Sequence, residues 1–183
     1  MKKSIINLVN SLKAELMGFV KLVESLEKKD LYFIEKLLVW INRCEDILTT
    51  YNISEVSELS GLKSKILAPK FSDDRTVSIK KYQLKIAADN LYDLQNTVLK
   101  VLQPKEAKVE ECRELMRQIL LIISQTKAIQ YNRNLPFDTL IGDIWAFILG
   151  NEQLKAGAVK LRTSLIMTDI QILIADEINL EDF

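Results

Sequence analysis

Four stretches of this chain repeat apolar residues at alternating steps of three and four, a spacing that commits it to long helices packed side by side. The first reads Ile5, Val9, Leu12, Leu16, Phe19, Val23, Leu26, and the second Ile34, Leu37, Ile41, Cys44, Leu48, Tyr51. Leu84, Ala87, Leu91, Leu94, Val98, Val101 form the third, and Val109, Cys112, Met116, Ile119, Ile123, Thr126 the fourth. A mean repeat of about 3.5 residues keeps one stripe of each helix against a neighbour, as in coiled coils and bundles. The positions beside the stripes decide between the two. Ile6, Leu8, Val20, Leu22, then Phe33, Leu38, Trp40, Ile47, then Leu115, Leu120, Ile122, Ile129 are apolar where a two-stranded coil is usually charged. Faces that wide need cover from more than one side, so the pattern is that of a globular bundle. The third stretch is flanked by Gln83, Asn90, Gln95 and Thr97, which puts it at the bundle edge.

Local signals place the helix ends. Helices over 3–27 and 31–51, joined by Lys28-Lys29 with Asp30 as N-cap, form an antiparallel hairpin. Ser54 caps a shorter helix carrying Val56, Leu59, Leu62 and Ile66, which Pro69 ends. Residues 69–75 read as a polar loop. Pro104 suits the first turn of a helix, so helices over 76–102 and 105–131 form a second hairpin. The expected core is an antiparallel four-helix bundle.

The segment after Pro136 carries Phe137, Leu140, Ile141, Ile144, Trp145, Phe147, Ile148 and Leu149, apolar around most of its circumference, and is expected to cover those surplus faces as a core helix, the alternative being a helix that completes its burial across a subunit interface. Two further helices are expected, one with Leu154, Ala158, Leu161 and Leu165, the other opening at Thr168 with Gln171 as a capping-box partner. A small β-hairpin over 161–178 is the alternative, because both halves tolerate a period of two. The chain is thus expected to be one all-α domain, 1–183, with a two-hairpin core in 1–133 and a helical extension in 134–183.

Lysine plus arginine equals aspartate plus glutamate at 25 each, so net charge gives no general case for a polyanionic partner. The distribution is uneven: residues 1–133 hold 22 basic and 17 acidic side chains, and 134–183 hold 3 and 8. Cys44 and Cys112 fall on helix stripes and read as buried reduced thiols, with a disulfide as the alternative. Asn7, Asn10, Lys13 and Glu15 interrupt any signal-peptide core, and no long uncharged apolar run exists, so a cytoplasmic protein without membrane insertion is expected.

The chain has no histidine, which removes Ser-His-Asp and Cys-His nucleophiles and imidazole metal sites. Glu24, Glu27 and Asp30, Glu111 and Glu114, and Asp89 and Asp93 are spaced for carboxylate-only magnesium binding, but matching second pairs are missing. Ser-x-x-Lys matches, such as those at Ser25, Ser60 and Ser78, lack the other elements of serine acyl enzymes. No catalytic residue, cofactor or metal is therefore expected. Recognition-capable side chains concentrate in two places. One is the basic stretch Lys63, Lys65, Lys70, Arg75, Lys80, Lys81, Lys85 with Phe71 and Tyr82; the other is the loop from Gln130 through Tyr131 and Arg133 to Asn134. Lys80, Lys81, Lys85, Tyr131, Arg133 and Trp145 are the candidate interaction residues. The expected function is a non-enzymatic protein–protein interaction or scaffold module that self-associates or binds a protein partner. The alternatives are a nucleic-acid-associated accessory protein of a defence or toxin-neutralising system, and a magnesium-dependent phosphohydrolase.

Overall fold

The structure, a computed structural model, describes residues 3–71, 78–131 and 134–183, and within them it holds helices and no strand. In chain order these are α1 (Ile5–Glu27), α2 (Phe33–Thr50), α3 (Val56–Leu67), a 3-10 turn (Ala68–Phe71), α4 (Ile79–Asp89), α5 (Leu91–Thr126), α6 (Phe137–Gly150), α7 (Lys155–Ser164), α8 (Met167–Glu177) and a 3-10 turn (Leu180–Asp182). The all-α expectation holds, and 161–178 is helical rather than a β-hairpin. Its buried residues, Leu161, then Ile170, Leu173 and Ile174, keep helical spacing, and the chain is extended only at Leu165 and Ile166 between the helices and at Ile178 after them. No described helix is long and apolar enough to cross a membrane.

Packing divides the chain into two compact units, Asn7–Pro104 and Met1–Ile6 with Lys105–Phe183. The change in charge near residue 134 lies inside the second.

In the Asn7–Pro104 unit, α1 and α2 form the expected hairpin. The reversal is closed by Lys29 in the left-handed region (φ 53°), with Lys29 N–H donating to Leu26 O (2.9 Å) and Asp30 N–H to Ser25 O (3.0 Å). This pair of bonds satisfies the last carbonyls of α1. Asn52 ends α2 in the same way (φ 54°), its N–H reaching Thr49 O and that of Ile53 reaching Leu48 O. Asp30 is not the N-cap of α2, which is Tyr32; its carboxylate instead accepts from Tyr32 N–H (2.9 Å), Ser25 Oγ (2.9 Å) and Lys36 Nζ (2.6 Å). Nor does Ser54 cap α3 with its side chain, which lies toward Glu55 while its carbonyl accepts from Ser57. Leu12, Leu37, Ile41, Cys44, Leu48, Leu59, Ile66, Leu94 and Val98 are fully buried, and Phe33 and Trp40 beside the stripe are buried with them.

Two expectations about the second hairpin fail. The chain does not turn at Pro104: α5 runs 36 residues with the proline inside it. Proline removes one backbone bond and strains the preceding turn, but Val101 and Leu102 before it and Val109 and Cys112 after it are buried, and that packing outweighs the local defect. The break lies instead at Asn90, whose side-chain amide donates to Ile86 O (2.8 Å) and competes with the helical ladder. The third stretch is also not at an edge, since Gln83 and Thr97 are buried. Thr97 Oγ1 donates to Asp93 O (2.8 Å) and to Glu58, whereas Gln83 Nε2 has no partner among the described residues.

In the other unit α6 is buried along Leu140, Ile141, Ile144, Trp145 and Ile148 and packs on α7 and α8. The C-terminal part of α5 buries Val109, Cys112, Met116, Ile119, Leu120 and Ile123. Gly157 lets α7 approach α5 closely, because a Cβ there would stand 2.9 Å from Ile119 Cδ1. Asp169, in the first turn of α8, is fully buried and holds the start of α1: Ser4 Oγ donates to Oδ1 and Ile5 N–H to Oδ2 (3.0 Å). One carboxylate thereby satisfies an otherwise unbonded helix-start N–H while sitting at the positive end of its own helix. At the other end of α8, Glu177 accepts from Arg113 (2.9 Å) and from Arg117 Nε (2.5 Å).

Candidate interaction surfaces

Lys80, Lys81 and Lys85 share the exposed surface of α4 with Ile79 and Tyr82. Among the described residues no carboxylate pairs with these three lysines, and the first turn of α4 contains no acid. Lysines at a helix start oppose the helix dipole, so solvation rather than local structure carries this cluster. Of the rest of the basic stretch, Lys63 is neutralised by Glu45 (2.7 Å), which also accepts from Ser60 Oγ, and Arg75 lies outside the described residues. Lys65 lines a polar cleft of about 370 Å³ with Glu58, Asp93, Asn96, Thr97 and Lys100, where Lys100 stands 3.8 Å from Glu58.

The other candidates do not join this cluster. Tyr131 is half-buried, its backbone N–H donating to Phe183 O (3.1 Å). Arg133 lies outside the described residues. Trp145 is buried, and its Nε1 has no hydrogen-bond partner among the described residues, so it belongs to the core of its unit and not to a surface.

A groove that the apolar pattern does not reveal runs between α1 and α2, with a volume of about 490 Å³. Its floor is Gly18, Leu22, Val39 and Trp40, and its walls carry Glu15 and Lys21 on α1 and Glu35, Lys36 and Arg43 on α2. Trp40 fixes the register: Nε1–H donates to Glu15 O (2.8 Å) and the indole packs on Phe19 at 4.7 Å between ring centroids. Val39 remains 48% exposed, and Met17, Val20, Leu31 and Tyr32 on the same hairpin are more exposed still. The one sequence signal for the groove is Gly18, a glycine inside a strong helical pattern. A Cβ at Gly18 would meet nothing within 4 Å, so the packing of this unit supplies no reason for a glycine there.

Burial pushes the Cys44 thiol up to about 12, aided by the Glu15 and Glu45 carboxylates. Cys112 is raised as well, chiefly by burial against an opposing hydrogen bond with Ser164; both cysteines are free. Of the spaced acids, Glu24 pairs with Lys28, Glu114 with Arg117 and Gln118, and Asp30 is held down to about 2, chiefly by the hydrogen bond from Lys36 and then that from the Tyr32 N–H. No three metal-ligating side chains stand together among the described residues.

No family model, curated protein or solved structure matches this chain.

Proposed function

We propose that the protein is a non-enzymatic interaction or scaffold module of the cytoplasm, working through the face of the α1–α2 hairpin. The observation that carries this reading is the groove: an apolar floor left open between charged walls, on a hairpin that exposes Met17, Val20, Leu31, Tyr32 and Val39. Exposed apolar surface rimmed by charge is the usual composition of a protein-binding site. A photo-crosslinking residue placed at Val39 in the native cell tests it. Adducts to a protein, whether the same chain or another, are expected; absence of adducts at Val39 and equally at Met17 removes the reading.

A second reading rests on the lysines of α4, which pair with no carboxylate among the described residues. With Tyr82 half exposed beside them, Lys80, Lys81 and Lys85 suit contacts to phosphates and stacking on a base. RNA or DNA binding that falls steeply with salt and is lost on replacing the three lysines by glutamate supports it. Failure to bind either polymer at low salt removes it.

A further inference from the structure

We infer that the occupant of the α1–α2 groove is a second copy of the same groove, so that two hairpins meet face to face across a twofold axis. The inference deepens the interaction reading above and rests on it. Two observations point to self-association. First, the four wall charges without an ion-pair partner among the described residues alternate in sign. The Phe19–Trp40 ring contact and the Trp40 bond to Glu15 set α1 and α2 antiparallel, so Glu15 and Arg43 flank the open end of the groove and Lys21 and Glu35 the turn end. Along the axes, Glu15 and Lys21 are about 9 Å apart and Glu35 and Arg43 about 12 Å.

A square of alternating charges complements itself. A second copy turned about an axis along the hairpin sets Glu15 against Arg43 and Lys21 against Glu35. Turned about an axis across the hairpin, it sets Glu15 against Lys21 and Glu35 against Arg43. These two twofold arrangements, along and across the hairpin, juxtapose opposite charges, as an isologous contact between charged rims needs. A partner of single-sign charge, such as a nucleic acid or an acidic peptide, meets repulsion at two of the four corners.

Second, Gly18 sits on the groove floor with open space where a Cβ would be. Glycine weakens a helix interior relative to alanine, yet nothing in the unit requires its absence of a side chain. The bare backbone at Gly18 lets a helix of a second copy approach the floor closely.

Sedimentation equilibrium of the purified full chain tests this, at concentrations up to about 100 μM so that even a weak Kd registers. The expected mass is twice 21.0 kDa, falling to 21.0 kDa on dilution. Gly18→Arg, whose Cβ meets nothing within 4 Å in the unit, is expected to leave a folded monomer. So are the paired reversals Glu15→Lys with Glu35→Lys, and Lys21→Glu with Arg43→Glu, with helix content by circular dichroism unchanged. Mixing the two reversed variants should restore the doubled mass. A wild-type chain that stays at 21.0 kDa overturns the inference, and so does a dimer indifferent to all these changes. If the chain is monomeric while Val39 crosslinks a different protein, the interaction reading stands and self-docking fails. If Val39 and Met17 crosslink nothing, both fall.

Discussion

In the Asn7–Pro104 unit the acid that organises a helix start takes all its partners from nearby: Asp30 binds Ser25, Tyr32 and Lys36, at separations of five, two and six residues. In the other unit the corresponding acid, Asp169, binds Ser4 and Ile5 across 165 and 164 residues. Both satisfy donors at the beginning of a helix, but only Asp169 is fully buried and closes the chain's first helix onto its last α-helix. The contrast separates ends that local sequence can close from ends that require the fold to exist first.

Asp169→Ala breaks this comparison most severely if it is wrong. Removing the fully buried carboxylate takes away the acceptor for Ser4 Oγ and Ile5 N–H, a loss of about 1.5–3 kcal/mol in urea unfolding. Asp30→Ala, whose Tyr32 and Lys36 donors are exposed and can turn to water, should shift the midpoint far less; equal losses would contradict the distinction. Next comes the same substitution in both units. Gly157→Leu drives a side chain into Ile119 and costs about 1–3 kcal/mol, whereas Gly18→Leu meets open space and should not destabilise the folded monomer. Thermal melts of the two variants read this directly. A smaller loss is expected for Glu177→Gln, which removes the carboxylate shared by Arg113 and Arg117; with the arginines partly exposed, the difference from wild type should shrink in high salt.

The smallest effect is on the acid limb of stability. Asp30 titrates near 2 in the folded chain against an ordinary 3.8, so the unfolded chain binds the extra proton first. Its contribution is fully present above about pH 4 and is lost as pH falls toward 2. Asp30→Asn should lower the melting temperature near neutrality and converge on wild type as the pH falls toward 2, flattening the profile in that window. An unaltered acid limb would show that the Lys36 and Tyr32 contacts do not hold the carboxylate ionised.

How far the sequence could be read follows the same division. Leu37, Ile41, Cys44 and Leu48, or Met116, Ile119 and Ile123, announce their burial by spacing alone, because a helix places such residues on one face whatever else it touches. Of the flanking residues expected to need cover on further sides, Phe33, Trp40 and Leu120 are buried, whereas Val20 and Ile122 stay exposed. Pro104 misled because its effect on a helix is local while the packing on either side of it is not. Gln83 and Thr97 misled because polarity predicts exposure only where no partner or neighbour encloses the group. Trp145 looked like an interface residue on composition and lies in a core. Of the interaction surface, the lysines of α4 were legible as charge, whereas the groove was not, since its floor and walls come from two helices and its depth from a missing side chain at Gly18.

By itself the sequence determined that this protein is helical, where most stripes face inward and that familiar histidine chemistry is absent, since period, composition and local capping act within a few turns of one helix. Only the tertiary structure decided that α5 continues through Pro104, that Asp169 captures the start of α1 and that α1 and α2 leave a charged groove between them. Those features depend on which side chains meet across long separations, and nothing in the spacing of residues along one helix specifies its neighbour.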